Sequence, residues 1–202
     1  MLVVFDLDGT LVDSRRALLE AHTEAWSSVG LERPPEQEIL NLIGLPLYKT
    51  MELLASREEP QPLVDAYRRA YSRTAPQYET LFEGIETLLQ RPFRAAVATG
   101  KSQNGAETAV KRHGLWDRFE VVFGGNSVPR PKPYPDLLYA IMEKTGTREL
   151  IMIGDTTYDL EMAASAGVEG IGVSWGHHSP ERLRSWAPVV DTVAELQLRL
   201  GV

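Results

Sequence analysis

The sequence predicts an α/β fold: a parallel β-sheet covered by helices on both faces, with a small all-helical unit inserted after the first strand. Three observations carry this. Short apolar, β-branched runs recur at residues 2–5, 95–98, 121–123, 150–153 and 170–173, each bounded by Gly, Asp or Pro, as buried strands are. Helix-length segments at 105–113, 136–145 and 157–166 separate the later runs, and Gly114, Gly146 and Gly167 stand where helices stop. Strand and helix in alternation belong to parallel sheets buried on both faces. Residues 12–90, in contrast, carry amphipathic helical stretches and no convincing strand.

A crossover between parallel strands needs little more than a dozen residues, so that gap holds more than a connection. Helices are expected at 14–29, 35–42, 47–56 and 62–77, with 84–90 as the returning crossover helix. The expected organisation is an α/β core of residues 1–13 and 79–202 and a helical insertion of residues 14–78.

Composition removes several function classes. The 202 residues carry 21 Lys and Arg against 28 Asp and Glu, a formal charge of -7 with no basic run, which argues against nucleic acid and anionic membrane as partners. With no cysteine, disulfides, thiolate metal sites and cysteine nucleophiles are excluded together. The opening apolar run is too short for a signal-peptide core, and no stretch reaches membrane-spanning length. A soluble cytoplasmic protein, monomer or homodimer, is the expectation.

The chemistry begins at Val4-Phe5-Asp6-Leu7-Asp8-Gly9-Thr10-Leu11. Two carboxylates at i and i+2 emerge where a buried strand ends, the edge at which open α/β sheets bind ligands. Like charges this close repel unless a cation or shared proton intervenes, and a hard, oxygen-ligated ion such as Mg2+ relieves them. Taken alone, Asp6, Asp8 and Thr10 also suit an ordinary turn. A second strand ends in Gly154-Asp155, with Asp159 four residues on at a helix start, where an acid also suits the helix dipole. In a parallel sheet both strand ends face the same edge, so the four acids are expected to converge.

Holding phosphate requires donors and positive charge beside such acids. Thr99 offers a hydroxyl at another strand end, and the Gly100 backbone N–H can approach an anion closely. The stretch Ala96-Val97-Ala98-Thr99-Gly100-Lys101-Ser102 mimics the end of a nucleotide-binding P-loop, but that motif needs glycine where Ala95 stands. Prolines 129, 131, 133 and 135 stiffen the segment that carries Lys132, a candidate phosphate-neutralising cation or else an exposed loop lysine.

In order and spacing, Asp6-Leu7-Asp8-Gly9-Thr10-Leu11, Thr99, Lys132 in Lys-Pro-Tyr-Pro, and Gly154-Asp155-Thr156-Thr157-Tyr158-Asp159 resemble the haloacid dehalogenase-like hydrolase superfamily, in particular its phosphoglycolate-phosphatase-like branch. The resemblance spans nearly the whole chain. It implies a Rossmann-like core and a helical cap, and magnesium-dependent hydrolysis of a small-metabolite phosphate ester. Asp6 would form an aspartyl-phosphate, with Asp8 protonating the leaving oxygen and then activating water. Asp6, the backbone carbonyl of Asp8 and Asp155 would hold Mg2+. Thr99 and the Gly100 amide would hold phosphoryl oxygens, Lys132 would neutralise them, and Asp159 would orient Lys132 or a metal-bound water. An acid at position 8 suits an alkoxide leaving group, which needs a proton, better than a halide. A sugar phosphomutase, resembling β-phosphoglucomutase, and an aspartyl-phosphate signalling switch are the alternatives.

Substrate choice would then rest with the cap. Gly44, Leu45 and Pro46 are candidate specificity residues, as well as a plausible helix–helix turn, and Lys101 stands at the mouth of the expected site. Arg15, Arg16 and Lys49 are further candidates for a second anionic group. The pair His177-His178 suggests a metal site only weakly, because adjacent side chains point apart. Trp26, Trp175 and Trp186 read as packing residues.

Overall fold

The computed structural model describes residues 1–202 except position 57. In chain order its strands are β1 (Leu2–Phe5), β2 (Val12–Asp13), β3 (Thr80–Leu81), β4 (Arg94–Thr99), β5 (Val121–Gly124), β6 (Leu150–Gly154), β7 (Glu169–Val173) and β8 (Val189–Val190). The helices are α1 (Arg15–Ser28), α2 (Glu36–Leu42), α3 (Leu47–Ala55), α4 (Pro60–Tyr78), α5 (Ile85–Leu89), α6 (Gln103–Arg112), α7 (Asp136–Thr145), α8 (Thr157–Ala166), α9 (Pro180–Arg184) and α10 (Val193–Leu200). None of the described helices is long and apolar enough to cross a membrane.

Six strands form one sheet in the order β5-β4-β1-β6-β7-β8, every neighbouring pair parallel. β1 lies inside it, with Phe5 level with Val97 of β4 and Ile153 of β6. Alternation along β1 sends Val3 and Phe5 into one apolar cluster with Val97, Ile85 and Leu88, and Leu2 and Val4 into another with Ala96, Met152 and Leu137. Both faces are therefore covered, and β1 reads as a continuous apolar run because neither side meets water. The architecture is the α/β, Rossmann-like one that the alternating pattern predicts.

A third cluster is built wholly from α1 to α4 and the loops between them. Leu18, Trp26, Met51, Leu63 and Tyr67 are buried there, and Thr74 of α4 donates to the Ala17 carbonyl at 3.0 Å. α4 starts at Pro60, two residues before its expected start, because its first-turn N–H groups have no helical partner to lose. The expectation of no strand in residues 12–90 is corrected. β2 and β3 pair antiparallel, Val12 opposite Leu81 and Asp13 opposite Thr80, and clip the outgoing chain to the returning one. Two-residue strands are too short to show a periodicity of two. The same brevity hid β8, while α9 and α10 lie beyond the alternation that revealed the others.

Where α4 runs out toward β3, Glu79 is buried and surrounded by donors. Tyr71 and Arg112 bond its carboxylate, His113 Nε2 lies 3.5 Å away and Lys101 Nζ 3.8 Å. Burial alone would raise its pKa, but His113, Lys101, Tyr71 and Arg112 together bring it from 4.5 down to about 2. At ~1.4 kcal/mol per tenfold change in proton affinity, this corresponds to about 3 kcal/mol of stability. A depressed carboxyl contributes that stability above its unfolded pKa and loses it as pH falls toward the folded value. The expected result is that urea midpoints of the wild type fall between pH 4.5 and pH 2 more steeply than those of Glu79→Gln; parallel curves would contradict it.

Candidate active site

β1, β4 and β6 end at the same edge, and the residues at those ends meet. The Asp6 backbone N–H donates to the Ile153 carbonyl at 2.9 Å, which fixes Asp6 beside Gly154-Asp155. Asp6, Thr99, Asp155, Asp159 and Lys132 are all buried, and a carboxylate oxygen from each of Asp6, Asp155 and Asp159 lies within 4.8 Å of the others. Gly154 permits this closeness, since a Cβ there would collide with the Asp159 side chain.

Lys132 is the cation among these acids. Its Nζ lies 2.9 Å from Asp6 Oδ1 and 2.5 Å from Asp159 Oδ1. The other Asp159 oxygen accepts from the backbone N–H and hydroxyl of Thr156 at 3.0 and 2.6 Å, capping α8. Asp159 is thus fully engaged, whereas Asp6 shares one lysine and its Oδ1 accepts no well-directed hydrogen bond. Burial drives the Asp6 pKa up from 3.8 to about 7 against the pull of Lys132, and the negative Asp159 and Asp155 add to the rise. Burial would lower Lys132, but Asp159 and Asp6 hold it charged, at about 12.

Asp155 is held from the side. Thr10 donates to its Oδ1 at 2.9 Å, while the backbone N–H and Nδ1 of His177 both lie 2.8 Å from its Oδ2. Burial works against the charge on both partners; their mutual attraction prevails, lowering the pKa of Asp155 and raising that of His177. Gly9, at a φ of 80°, lets the chain pass so close that a Cβ would strike Asp155 and His177. Asp155 Oδ1 keeps one lone pair free, and Asp6 Oδ1 and Asp8 Oδ1 are buried without hydrogen-bond partners. Such oxygens suit a hard divalent cation. His177, once a weak metal candidate, faces a carboxylate instead. His178 accepts from the Thr157 N–H at 3.1 Å.

A cavity of about 80 Å³ opens onto this cluster. Asp6, Asp8, Thr99, Gly100 and Lys101 line one side, and Gly44, Leu45, Leu18, His22 and Tyr67 line the other. Gly100 sits so tightly under the Gly44 carbonyl that a Cβ would overlap it. Pro46 does not reach the cavity; it borders a neighbouring cleft of about 480 Å³. Lys101 is not a free solvent-facing lysine, since its Nζ lies 3.0 Å from Asp8 Oδ2 and 2.7 Å from the Tyr71 hydroxyl. Arg15 and Lys49 pair with Glu36 and Glu52 at the surface, and Arg16 lies over the Tyr78 ring, so these three stand apart from the cluster. Trp26 is buried among the α1–α4 residues, Trp175 donates to the Thr10 carbonyl at 3.1 Å, and Trp186 is exposed.

Residues that sequence reasoning passed over also matter. Asn41, at the end of α2, receives Tyr158 at 3.1 Å and lies 3.2 Å from His178 Nε2 through its carbonyl, and takes Arg182 at 2.8 Å through its side chain. That clasp holds α2 against the first turn of α8 and against the His178 loop and α9 beyond β7. Its partners stand more than a hundred positions away, and no local pattern marks them. In metal-free protein, Lys132→Met leaves Asp6 and Asp159 buried without their cation, so a loss of about 3 kcal/mol or more is expected at pH 7. Melting scans should show the deficit shrinking from pH 9 to pH 6 as Asp6, whose pKa is already about 7 beside Lys132 and rises without it, takes up its proton; a deficit independent of pH would count against this account.

Comparison with known proteins agrees with this arrangement. A family model described as haloacid dehalogenase-like hydrolase matches residues 3–173, a span that includes all four acids, Thr99 and Lys132. A probable phosphatase, IndB of Dickeya dadantii, is 34% identical over 209 residues, covering 96% of this chain and 91% of its own. A phosphoglycolate phosphatase of Vibrio vulnificus is 30% identical over 217 residues, covering 96% and 93%. The solved structure of protein tyrosine kinase A from Mycobacterium tuberculosis superposes with a TM-score of 0.83 at 29% identity, covering 100% of this chain and 98% of that one. With residues 3–173 matched by the family model and a 34% identical relative covering 96% of its length, the chain belongs to the haloacid dehalogenase-like hydrolase family.

Proposed function

We propose that the chain is a magnesium-dependent phosphomonoesterase that hydrolyses a small-metabolite phosphate ester through an aspartyl-phosphate on Asp6. The observation that carries this reading is the contact of one buried lysine with Asp6 and Asp159, beside a cavity that also exposes Asp8, Thr99 and Gly100. Phosphoryl transfer spreads charge over the equatorial oxygens, so catalysis there is mostly positioning plus electrostatic stabilisation. The phosphatase relatives support the choice of water as acceptor over a second substrate.

In the first step an Asp6 carboxylate oxygen attacks phosphorus, and the bond to the ester oxygen breaks as Asp8 delivers a proton to it. In the second, Asp8 takes a proton from water, whose oxygen attacks the same phosphorus; phosphate leaves and Asp6 is restored. Lys132 and the donors of Thr99 and Gly100 would hold the phosphoryl oxygens throughout. Asp159 would hold Lys132, and Thr10 and His177 would hold Asp155. Asp6, the Asp8 backbone carbonyl and Asp155 would bind Mg2+, which neutralises phosphoryl charge when present. We take residues 14–78 as a cap that walls the reaction off from bulk water, because they line the cavity from above.

A phosphate-release screen over small esters, with Mg2+ or with chelator, tests the reading. Release that requires the metal and falls at least ~1000-fold in Asp6→Asn is expected; retention of most activity by that variant would refute the nucleophile assignment. Transfer to a sugar without free phosphate would instead favour a mutase. Asp8→Asn is expected to slow alkyl esters by ~100-fold or more, and p-nitrophenyl phosphate less in the first step, since its leaving group needs no proton. Burst kinetics separate the steps, and an equal first-step loss on both esters would remove Asp8 as the acid.

A further inference from the structure

His22 has no part in the chemistry above, yet it forms part of the cavity wall. It lies on α1 one turn beyond Leu18, on the face turned toward the site, and its ring packs 4.9 Å from that of Tyr67. The side chain is 2% exposed, and its Nδ1 has no hydrogen-bond partner. A buried, unpaired imidazole nitrogen is destabilising unless something satisfies it. Apart from Thr50 and the hydroxyl of Tyr67, the wall around it is apolar, with Leu18, Ile43, Leu45 and Leu47. Among the described residues lining the cavity, the one Lys or Arg is Lys101, already engaged by Asp8. Burial, with Arg33 nearby, lowers the His22 pKa to about 3, so the ring is neutral and offers a hydrogen bond without charge.

We propose that His22 is a specificity-determining residue that reads the leaving group, and that the substrate is a compact, uncharged phosphate ester with one hydrogen-bonding oxygen beyond its ester oxygen. This rests on the phosphomonoesterase reading. A volume of about 80 Å³ is far below the ~300–1,000 Å³ of drug-sized ligand pockets, so the cavity itself suits a leaving group of a few heavy atoms. A carboxylate in that position would face Asp6 and Asp8 with no unpaired cation to meet it. The cavity therefore selects against a phosphorylated hydroxy acid such as phosphoglycolate, even though a phosphoglycolate phosphatase is among the relatives.

Three esters matched in size decide it: 2-hydroxyethyl phosphate, ethyl phosphate and phosphoglycolate. Wild-type kcat/KM should be highest for 2-hydroxyethyl phosphate, by ~10-fold or more over either of the others. His22→Leu should cut that value ~10-fold or more while changing ethyl phosphate less than ~3-fold, and His22→Gln should restore part of the difference. Equal losses on the two neutral esters, or a wild-type preference for phosphoglycolate, would overturn the assignment. A second measurement needs no turnover. In Asp6→Asn protein, the His22 ring 15N resonances should shift on adding 2-hydroxyethyl phosphate and not on adding ethyl phosphate; no shift, or the same shift with both, overturns the proposal. If no ester releases phosphate, the phosphomonoesterase reading fails, and the resonances still decide what His22 recognises.

Discussion

One buried lysine between two buried carboxylates organises the catalytic half of this molecule. Lys132 comes from a proline-rich loop, Asp6 from the end of β1 and Asp159 from the first turn of α8, so their contact ties together three segments far apart in sequence. Desolvating three charges is costly, and the cost is met only because each has a partner at hydrogen-bond distance. The arrangement leaves one acid short of donors. Asp159 is saturated, but Asp6 competes for a single ammonium group and keeps an oxygen with no well-directed donor. The residue best placed to act as nucleophile is thus also the least satisfied one.

Around that centre, each acid has a different environment and hence a different task. Asp155 is locked by Thr10 and His177, Asp159 by Thr156 and Lys132, while Asp8 is held from outside by Lys101. Lys101 also touches Tyr71 and approaches Glu79, so the candidate general acid is linked to the charge network at the end of α4. A shift of α4 relative to the sheet would be felt at Asp8 through this chain of contacts.

The sequence revealed what was local or fully buried. Parallel strands covered on both faces appear as unbroken apolar runs, and acids at their ends must share an edge, so the sheet, the four acids, Thr99 and Lys132 were legible before any coordinates. What stayed hidden depends on pairing across distance. Thr10 and Asp155 are 145 positions apart, Asn41 and Arg182 141, and no periodicity connects them. His22 looked like any helix residue, because its significance lies in an unmade hydrogen bond. Lys101 stands at the mouth of the site on sequence grounds, but only the folded chain brings Asp8 to it.

The short ribbon of β2 and β3 bears on how such a chain came to be assembled. Asp13 and Thr80 are direct antiparallel neighbours, so the backbone leaves the sheet and returns to it at nearly the same point. Everything between them is an excursion that the parallel sheet does not thread through, and its apolar cluster is its own. The excursion is thus added to the sheet at one seam, and it meets the acid cluster again only through side-chain and loop contacts such as Tyr71 on Lys101 and Asn41 on Tyr158. The ribbon is the seam between the helical excursion, with its own apolar cluster, and the parallel sheet that carries the acids.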